Sequence, residues 1–261
     1  MNARADGFEA PAKEEITASL QNWLDNGEIE EFGVAQNGSY AQYSGYLDDY
    51  LWIERTVYFQ EDETAPNIKK RVVADPEVTN YLNLDKVAEF IYQYIDANAL
   101  MVMDRIAFLW DTYDEFDCLQ DNSEARGELA SLYNDEYAYE IGEGNLGITW
   151  VEHGAVIVNV ANILKSAKEI AAEPDEWHSE ETLFREALIQ TICHECRHLL
   201  YECNEIIEIG EGTSYPEDGG MEYAVEEYGN DEADRLLHDK SARRLINAMF
   251  RESEKALEIA D

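Results

Sequence analysis

Hydrophobic residues recur along much of the chain at the three- and four-residue intervals typical of helices. This spacing predicts helices over Lys13–Leu24, over two stretches between Leu84 and Gln120, over Ser123–Tyr139 and over Ile163–Ala172. A longer helix is expected from Ser179, whose hydroxyl group can cap the first turn, to about Asn204. A final helical region is predicted from Met221 onwards.

Other segments have the composition of strands. Tyr50–Phe59 is rich in β-branched and aromatic residues, which predicts a strand. Ile148–Val151 and Ala155–Ala161 flank a Glu-His-Gly turn and are predicted to pair as a β-hairpin. Together with the helices, these segments predict an α+β fold that is mainly helical and contains a small antiparallel sheet.

The net charge of the chain argues against nucleic acids and anionic membranes as partners. Among 261 residues, 57 acidic side chains stand against 19 basic ones, which gives a formal net charge of -38. A field of that sign repels nucleic-acid phosphates and anionic membrane surfaces, so neither is expected as a partner. The chain is also 45% hydrophobic and 11% aromatic, which favours a folded protein over a disordered one.

The longest apolar runs, such as Ala155–Val158 and Ile106–Trp110, are far shorter than the roughly 20 residues that a membrane-spanning helix needs. The N-terminal segment lacks the basic start and apolar core of a signal peptide. Three of the four cysteines (Cys193, Cys196 and Cys203) lie on one predicted helix, which favours reduced thiols. We therefore expect a cytoplasmic protein.

The predicted long helix carries His194-Glu195-Cys196-Arg197-His198, an H-E-x-x-H sequence. Helical positions four residues apart lie one turn from each other and about 40° apart, so both imidazoles can reach one cation. Neutral imidazole suits Zn²⁺, and a catalytic zinc site needs a third protein ligand and an open position for water. Glu195 can then act as general base toward that water.

The other residues of this helix indicate that one side is buried and that the histidines lie on a different side. One apolar stripe, which excludes His194 and His198, consists of Ile192, Cys193, Cys196, Leu199, Leu200 and Cys203. The alternative interpretation is that both histidines lie on a solvated helix face and bind nothing. A thiolate zinc site at Cys193-x-x-Cys196 is disfavoured, because these cysteines lie away from the histidines and no second cysteine pair completes a ligand set.

A third metal ligand is expected from the helical region that follows Gly219-Gly220. Glu222 lies 24 residues beyond His198 in the first turn of that region, and Glu226 lies one turn later on the same face. Glu222 is the preferred ligand, with Glu226 orienting a histidine or replacing Glu222, and Glu227 is a further alternative.

These residues resemble the gluzincin metallopeptidases. The small intracellular relatives found in bacteria, phages and mobile elements have a ligand helix of the form Glu-x-x-Ala-x-x-Phe-Ala, and the corresponding positions here are Glu222, Val225, Tyr228 and Gly229. The resemblance covers about residues 147–235. It implies a zincin-like fold and a peptidase that hydrolyses peptide or protein substrates with one Zn²⁺ ion, held by His194, His198 and Glu222.

Residues 1–140 are expected to form a mixed α/β region of unassigned role, and residues 141–261 the metallopeptidase region. The alternative is that residues 141–261 form one compact domain with the N-terminal helices. The resemblance also implies a place for the substrate. Ala155–Ala161 resembles the edge strand along which zincins bind an extended peptide. Tyr215 and His238 are open alternatives for stabilising the oxyanion.

A second hypothesis comes from the charge rather than from the motif. A chain at -38 could occupy basic proteins as an acidic decoy, with a structural or vestigial metal site. This hypothesis predicts salt-sensitive association with a basic partner and no effect of changing Glu195.

Overall fold

The computed structural model describes residues 12–47, 51–59, 64–110, 123–133, 146–150, 153–174, 176–206 and 221–250. The side chains of residues 46–47, 51–53, 130, 133, 201–206 and 221–223 lie outside that description. The helices of the described part are α1 (Lys13–Asn26), α2 (Ala65–Lys69), α3 (Leu84–Tyr94), α4 (Ala97–Val102), α5 (Glu124–Tyr133), α6 (Val160–Ala171), α7 (Glu180–Ile206), α8 (Met221–His238) and α9 (Lys240–Met249). The strands are β1 (Glu31–Val34), β2 (Tyr40–Leu47), β3 (Leu51–Tyr58), β4 (Val72–Ala74), β5 (Arg105–Leu109), β6 (Gly147–Trp150) and β7 (Ala155–Asn159).

Short polar side chains fix where several helices begin. Asn83, Asp96 and Asp239 accept hydrogen bonds from backbone N–H groups in the first turns of α3, α4 and α9. The predicted cap at Ser179 is confirmed, because its Oγ accepts a hydrogen bond from the backbone N–H of Thr182 at 3.2 Å. Asn159 caps α6 in the same way by accepting from the N–H of Asn162.

The strands form two sheets. β1, β2 and β3 make an antiparallel sheet in sequence order. The second sheet has the order β4-β5-β7-β6, in which β4, β5 and β7 are parallel and β6 runs antiparallel to β7. This mixed sheet takes two strands from each side of residue 140. The α+β class and the β6–β7 hairpin are confirmed, but the mixed sheet goes beyond the single antiparallel sheet expected.

Two expectations about the mixed sheet are wrong. The segment from Ile106 to Leu109, expected in a helix, lies in β5, where a short apolar run buried on both faces carries no helical signature. The segment expected as the edge strand, Ala155–Ala161, ends in helix α6 and supplies β7, which is an interior strand between β5 and β6. The two edge strands of this sheet are β4 and β6, and no described strand pairs with the other side of β6.

Helix α7 contributes many residues to the main hydrophobic core. All five residues of β7 are buried, and α7 packs against β7, α4, α6 and α8. The buried side of α7 includes the predicted stripe, as far as its side chains are described: Ile192, Cys193, Cys196, Leu199 and Leu200. In the described part of the chain, no helix combines the length and apolar character needed to cross a membrane.

Candidate metal centre

His194 and His198 lie one turn apart on α7, and their imidazoles converge. The two Nε2 atoms are 3.3 Å apart. Two nitrogen ligands at about 2.05 Å from one tetrahedral ion are separated by about 3.3 Å, so the observed distance fits a shared zinc ion. The same distance also suits a hydrogen bond between one protonated and one unprotonated ring nitrogen.

Glu195 completes a cluster with the two histidines. Candidate ligand atoms of the three residues all lie within 4.8 Å of one another. Glu195 is only 5% exposed, and its Oε1 lies 3.9 Å from Nε2 of His194. A buried carboxylate beside two imidazoles is a donor set that can hold a divalent cation or accept a proton next to one.

The two neighbouring cysteines do not belong to this cluster. Cys193 and Cys196 are free thiols buried in the main core. Burial raises the pKa of both thiols well above the ordinary value, which keeps them protonated. A zinc ligand must be a thiolate, so the prediction that these cysteines are core residues rather than ligands is confirmed by their burial.

Helix α8 packs against α7 at the histidine turn. Tyr228 of α8 lies under the guanidinium of Arg197, 4.3 Å from the ring centroid. One residue later, Gly229 is so close to α7 that an added Cβ would lie 3.0 Å from Cβ of His194 and 3.3 Å from the backbone oxygen of Gln190. Val225, one turn before Gly229, is fully buried. Tyr228 and Gly229 of the predicted ligand helix therefore contact α7.

This packing bears on the three glutamates considered as third ligand. Position 222 lies seven residues before Gly229, so it shares the helix side of Gly229 to within about 20°. The side chain of Glu222 lies outside the described part of the structure. Glu226 and Glu227 are exposed. Because position 222 shares the helix side of Gly229 while Glu226 and Glu227 are exposed, Glu222 stays the preferred prediction for the third ligand.

Strand β6 supplies two site residues that the sequence reasoning missed. The hydroxyl oxygen of Thr149 lies 2.8 Å from Oε2 of Glu195, as well as 2.8 Å from its main-chain oxygen. A Cβ at Gly147 would lie 2.8 Å from both Cγ and Oε1 of Glu195. The signal in the sequence was the Gly-x-Thr spacing, which puts both residues on one side of a strand that precedes the histidine helix.

The remaining candidate residues are Asn159, His238 and Tyr215. Asn159, considered either for substrate or for capping, is 3% exposed and caps α6. His238 is largely exposed at the end of α8 and is bonded to the backbone oxygen of Asp234. His238 is about 13 Å along the helix from Gly229, which removes it as an oxyanion stabiliser. Tyr215 lies outside the described residues.

The chain was compared with family models, with curated proteins and with solved structures, and none of the three comparisons found a match. The functional conclusion therefore depends on the geometry of the site.

Proposed function

We propose that this protein is a zinc-dependent metallopeptidase of the zincin-like type. The observation that carries the proposal is the convergence of His194 and His198 on one point beside the buried carboxylate of Glu195. An H-E-x-x-H sequence on a helix, with both histidines on one side and the glutamate turned toward them, is the arrangement that zinc peptidases use.

The donor set favours zinc. Two imidazoles with a carboxylate from a separate helix match the two-histidine, one-glutamate sets of catalytic zinc sites. We assign His194, His198 and Glu222 as the protein ligands. Bound zinc would supply Lewis-acid chemistry, since it makes water acidic enough to lose a proton near neutral pH and polarises a peptide carbonyl.

The protein's own residues handle the proton. Oε1 of Glu195, the carboxylate oxygen 3.9 Å from His194 Nε2, is placed to accept a proton from the attacking water. The same carboxylic acid can then donate that proton to the leaving amine. Burial of Glu195 excludes competing water from this transfer.

The position of β6 suggests how a peptide substrate binds. β6 is an edge strand of the mixed sheet and passes directly beside Glu195. An extended peptide can pair with a free strand edge through main-chain hydrogen bonds, which would bring its carbonyl groups past the metal centre. We therefore assign to Gly147–Trp150 the peptide-binding role that was expected for Ala155–Ala161.

We also place the protein in the cytoplasm. Its two described cysteines are buried as free thiols, a state that a reducing compartment maintains.

The proposal is tested by incubating the purified protein with a mixture of unstructured peptides and identifying the products by mass spectrometry. Neutral and basic peptides are the first to test, because the net charge of -38 repels acidic ones. Cleavage is expected to stop after metal removal with a chelator and to return on adding one equivalent of zinc. Cleavage that persists in the metal-free protein would contradict the proposal.

The assignment of the third ligand gives a matched pair of variants on one helix. Glu222→Ala is expected to weaken zinc binding by about a hundredfold or more, because a single ligand contributes roughly 3 kcal/mol of a four-ligand site. Glu226→Ala removes the same charge one turn later from an exposed position, and is expected to change the affinity by less than about threefold. Competition with a chromophoric chelator measures both affinities. The opposite ranking would move the ligand to Glu226.

A further inference from the structure

Strand β6 presents alternate residues to the metal centre and to an apolar cluster separate from the main core. Gly147 and Thr149 lie on the side that faces α7, where both approach Glu195. Ile148 and Trp150 lie on the opposite side and pack against a separate apolar cluster. This cluster consists of Val73, Ala107, Leu109, Ala125, Leu129 and Ile157. The strand is therefore anchored by one side while its other side meets the proposed general base.

The contact of Thr149 with Glu195 has a definite direction. The Thr149 hydroxyl carries one hydrogen and lies 2.8 Å from two acceptors, Oε2 and the main-chain oxygen of Glu195. A hydrogen bond to a charged carboxylate is stronger than one to a neutral carbonyl, so the hydrogen is donated mainly to Oε2. This bond leaves Oε1 as the oxygen nearer to His194.

Gly147 allows the strand to come close enough for this bond. A Cβ at position 147 would lie 2.8 Å from Oε1 of Glu195 and 2.7 Å from Cγ2 of Thr191. Contacts that short require neighbouring atoms to move, and the moving atoms would include the carboxylate itself. Gly147 thus lets β6 approach α7 closely, and Thr149 then supplies the hydrogen bond to Glu195.

We infer that Thr149 is a positioning residue for the peptide hydrolysis proposed above, a function on which this inference rests. Its hydroxyl group fixes Oε2 of Glu195 and thereby holds Oε1 at the His194–His198 centre. The strand that offers its edge to the substrate therefore also sets the place of the general base. Strand β6 therefore determines how the bound peptide is placed relative to the Glu195 carboxylate.

Three variants test this role. Thr149→Val keeps the shape of the side chain but removes the hydroxyl, and it is expected to lower kcat by about ten- to a hundredfold. KM and zinc content are expected to stay within about twofold, since Thr149 is assigned neither to the substrate nor to the metal. Thr149→Ser restores the hydroxyl and is expected to recover kcat to within about threefold.

Thr191→Val is the matched control. The Thr191 side chain also lies at the contact of α7 with β6, where its Cγ2 faces Gly147, but its hydroxyl donates to the backbone oxygen of Ala187. Its loss is expected to change kcat by less than about twofold, because a helical backbone oxygen already has a partner.

A readout independent of activity separates this inference from the proposed function. Crystal structures of the metal-free wild type and Thr149→Val proteins are expected to show the Glu195 carboxylate turned away from His194 only in the variant. If the wild type cleaves no peptide, the proposed function fails, while these structures still decide whether Thr149 holds Glu195. An unmoved carboxylate, or a change confined to KM, would overturn the inference.

Discussion

Glu195→Gln is expected to lower the rate of peptide hydrolysis by about 10²- to 10⁴-fold, the usual contribution of a general base. Glutamine has nearly the same size and can still accept a hydrogen bond from Thr149, but it cannot take up a proton from water at neutral pH. Since Glu195 is not assigned as a ligand, zinc content is expected to stay unchanged. Steady-state kinetics and metal analysis of the same preparations measure both quantities.

The matched control for this variant is Glu186→Gln. Glu186 lies on the same helix about two turns before the histidines and outside the His194–Glu195–His198 cluster, and its substitution changes the charge by the same amount. Its rate is expected to stay within about twofold of the wild type, because a distant charge is screened by solvent. A silent Glu195→Gln together with salt-sensitive binding of basic proteins would instead favour the acidic-decoy hypothesis.

Replacing both His194 and His198 by alanine is expected to abolish stoichiometric zinc binding and all metal-dependent hydrolysis. A structural zinc site contributes about 10–16 kcal/mol through four ligands, so losing two ligands lowers the affinity by about four orders of magnitude or more. Zinc affinity is measured by competition with a chelator of known strength.

A second double variant controls for the general loss of histidine. His153→Ala with His178→Ala removes the same number of imidazoles from positions outside the described metal cluster. It is expected to keep the wild-type zinc affinity within about threefold. Equal loss of affinity in both double variants would show that zinc binds through the acidic surface rather than at α7.

The histidine helix was predictable because its information is local in sequence. The H-E-x-x-H spacing brings both imidazoles to one turn whatever surrounds the helix, and the apolar stripe assigns the opposite side to the core. The assignment of Glu222 stays a prediction, because its side chain lies outside the described residues. The close approach of α8 to α7 occurs at Gly229, where the resemblance to a known ligand helix had marked a position for a small residue.

The surroundings of Glu195 were not predictable, because they depend on the order of strands in the sheet. Hydrophobicity identifies β7 as buried but does not say which strand forms the edge. The pairing of β6 with β7 was predicted, but the packing of β6 against α7 was not. That packing brings Thr149 within 2.8 Å of Glu195, although the two residues are 46 positions apart in the chain. The prediction of a helix around Ile106–Leu109 was wrong for a related reason. A strand that is buried on both faces shows no alternation of polar and apolar residues that would identify it.

The central claim is that His194 and His198 hold one zinc ion. The zinc X-ray absorption spectrum of the wild-type protein, loaded with one equivalent of zinc, tests it most directly. The expected spectrum shows two imidazole ligands with the remaining ligands oxygen, all at about 2.0–2.2 Å. A shell of sulfur at about 2.3 Å would place the ion at cysteines instead, and a shell of oxygen alone would place it on surface carboxylates; either result would contradict the claim.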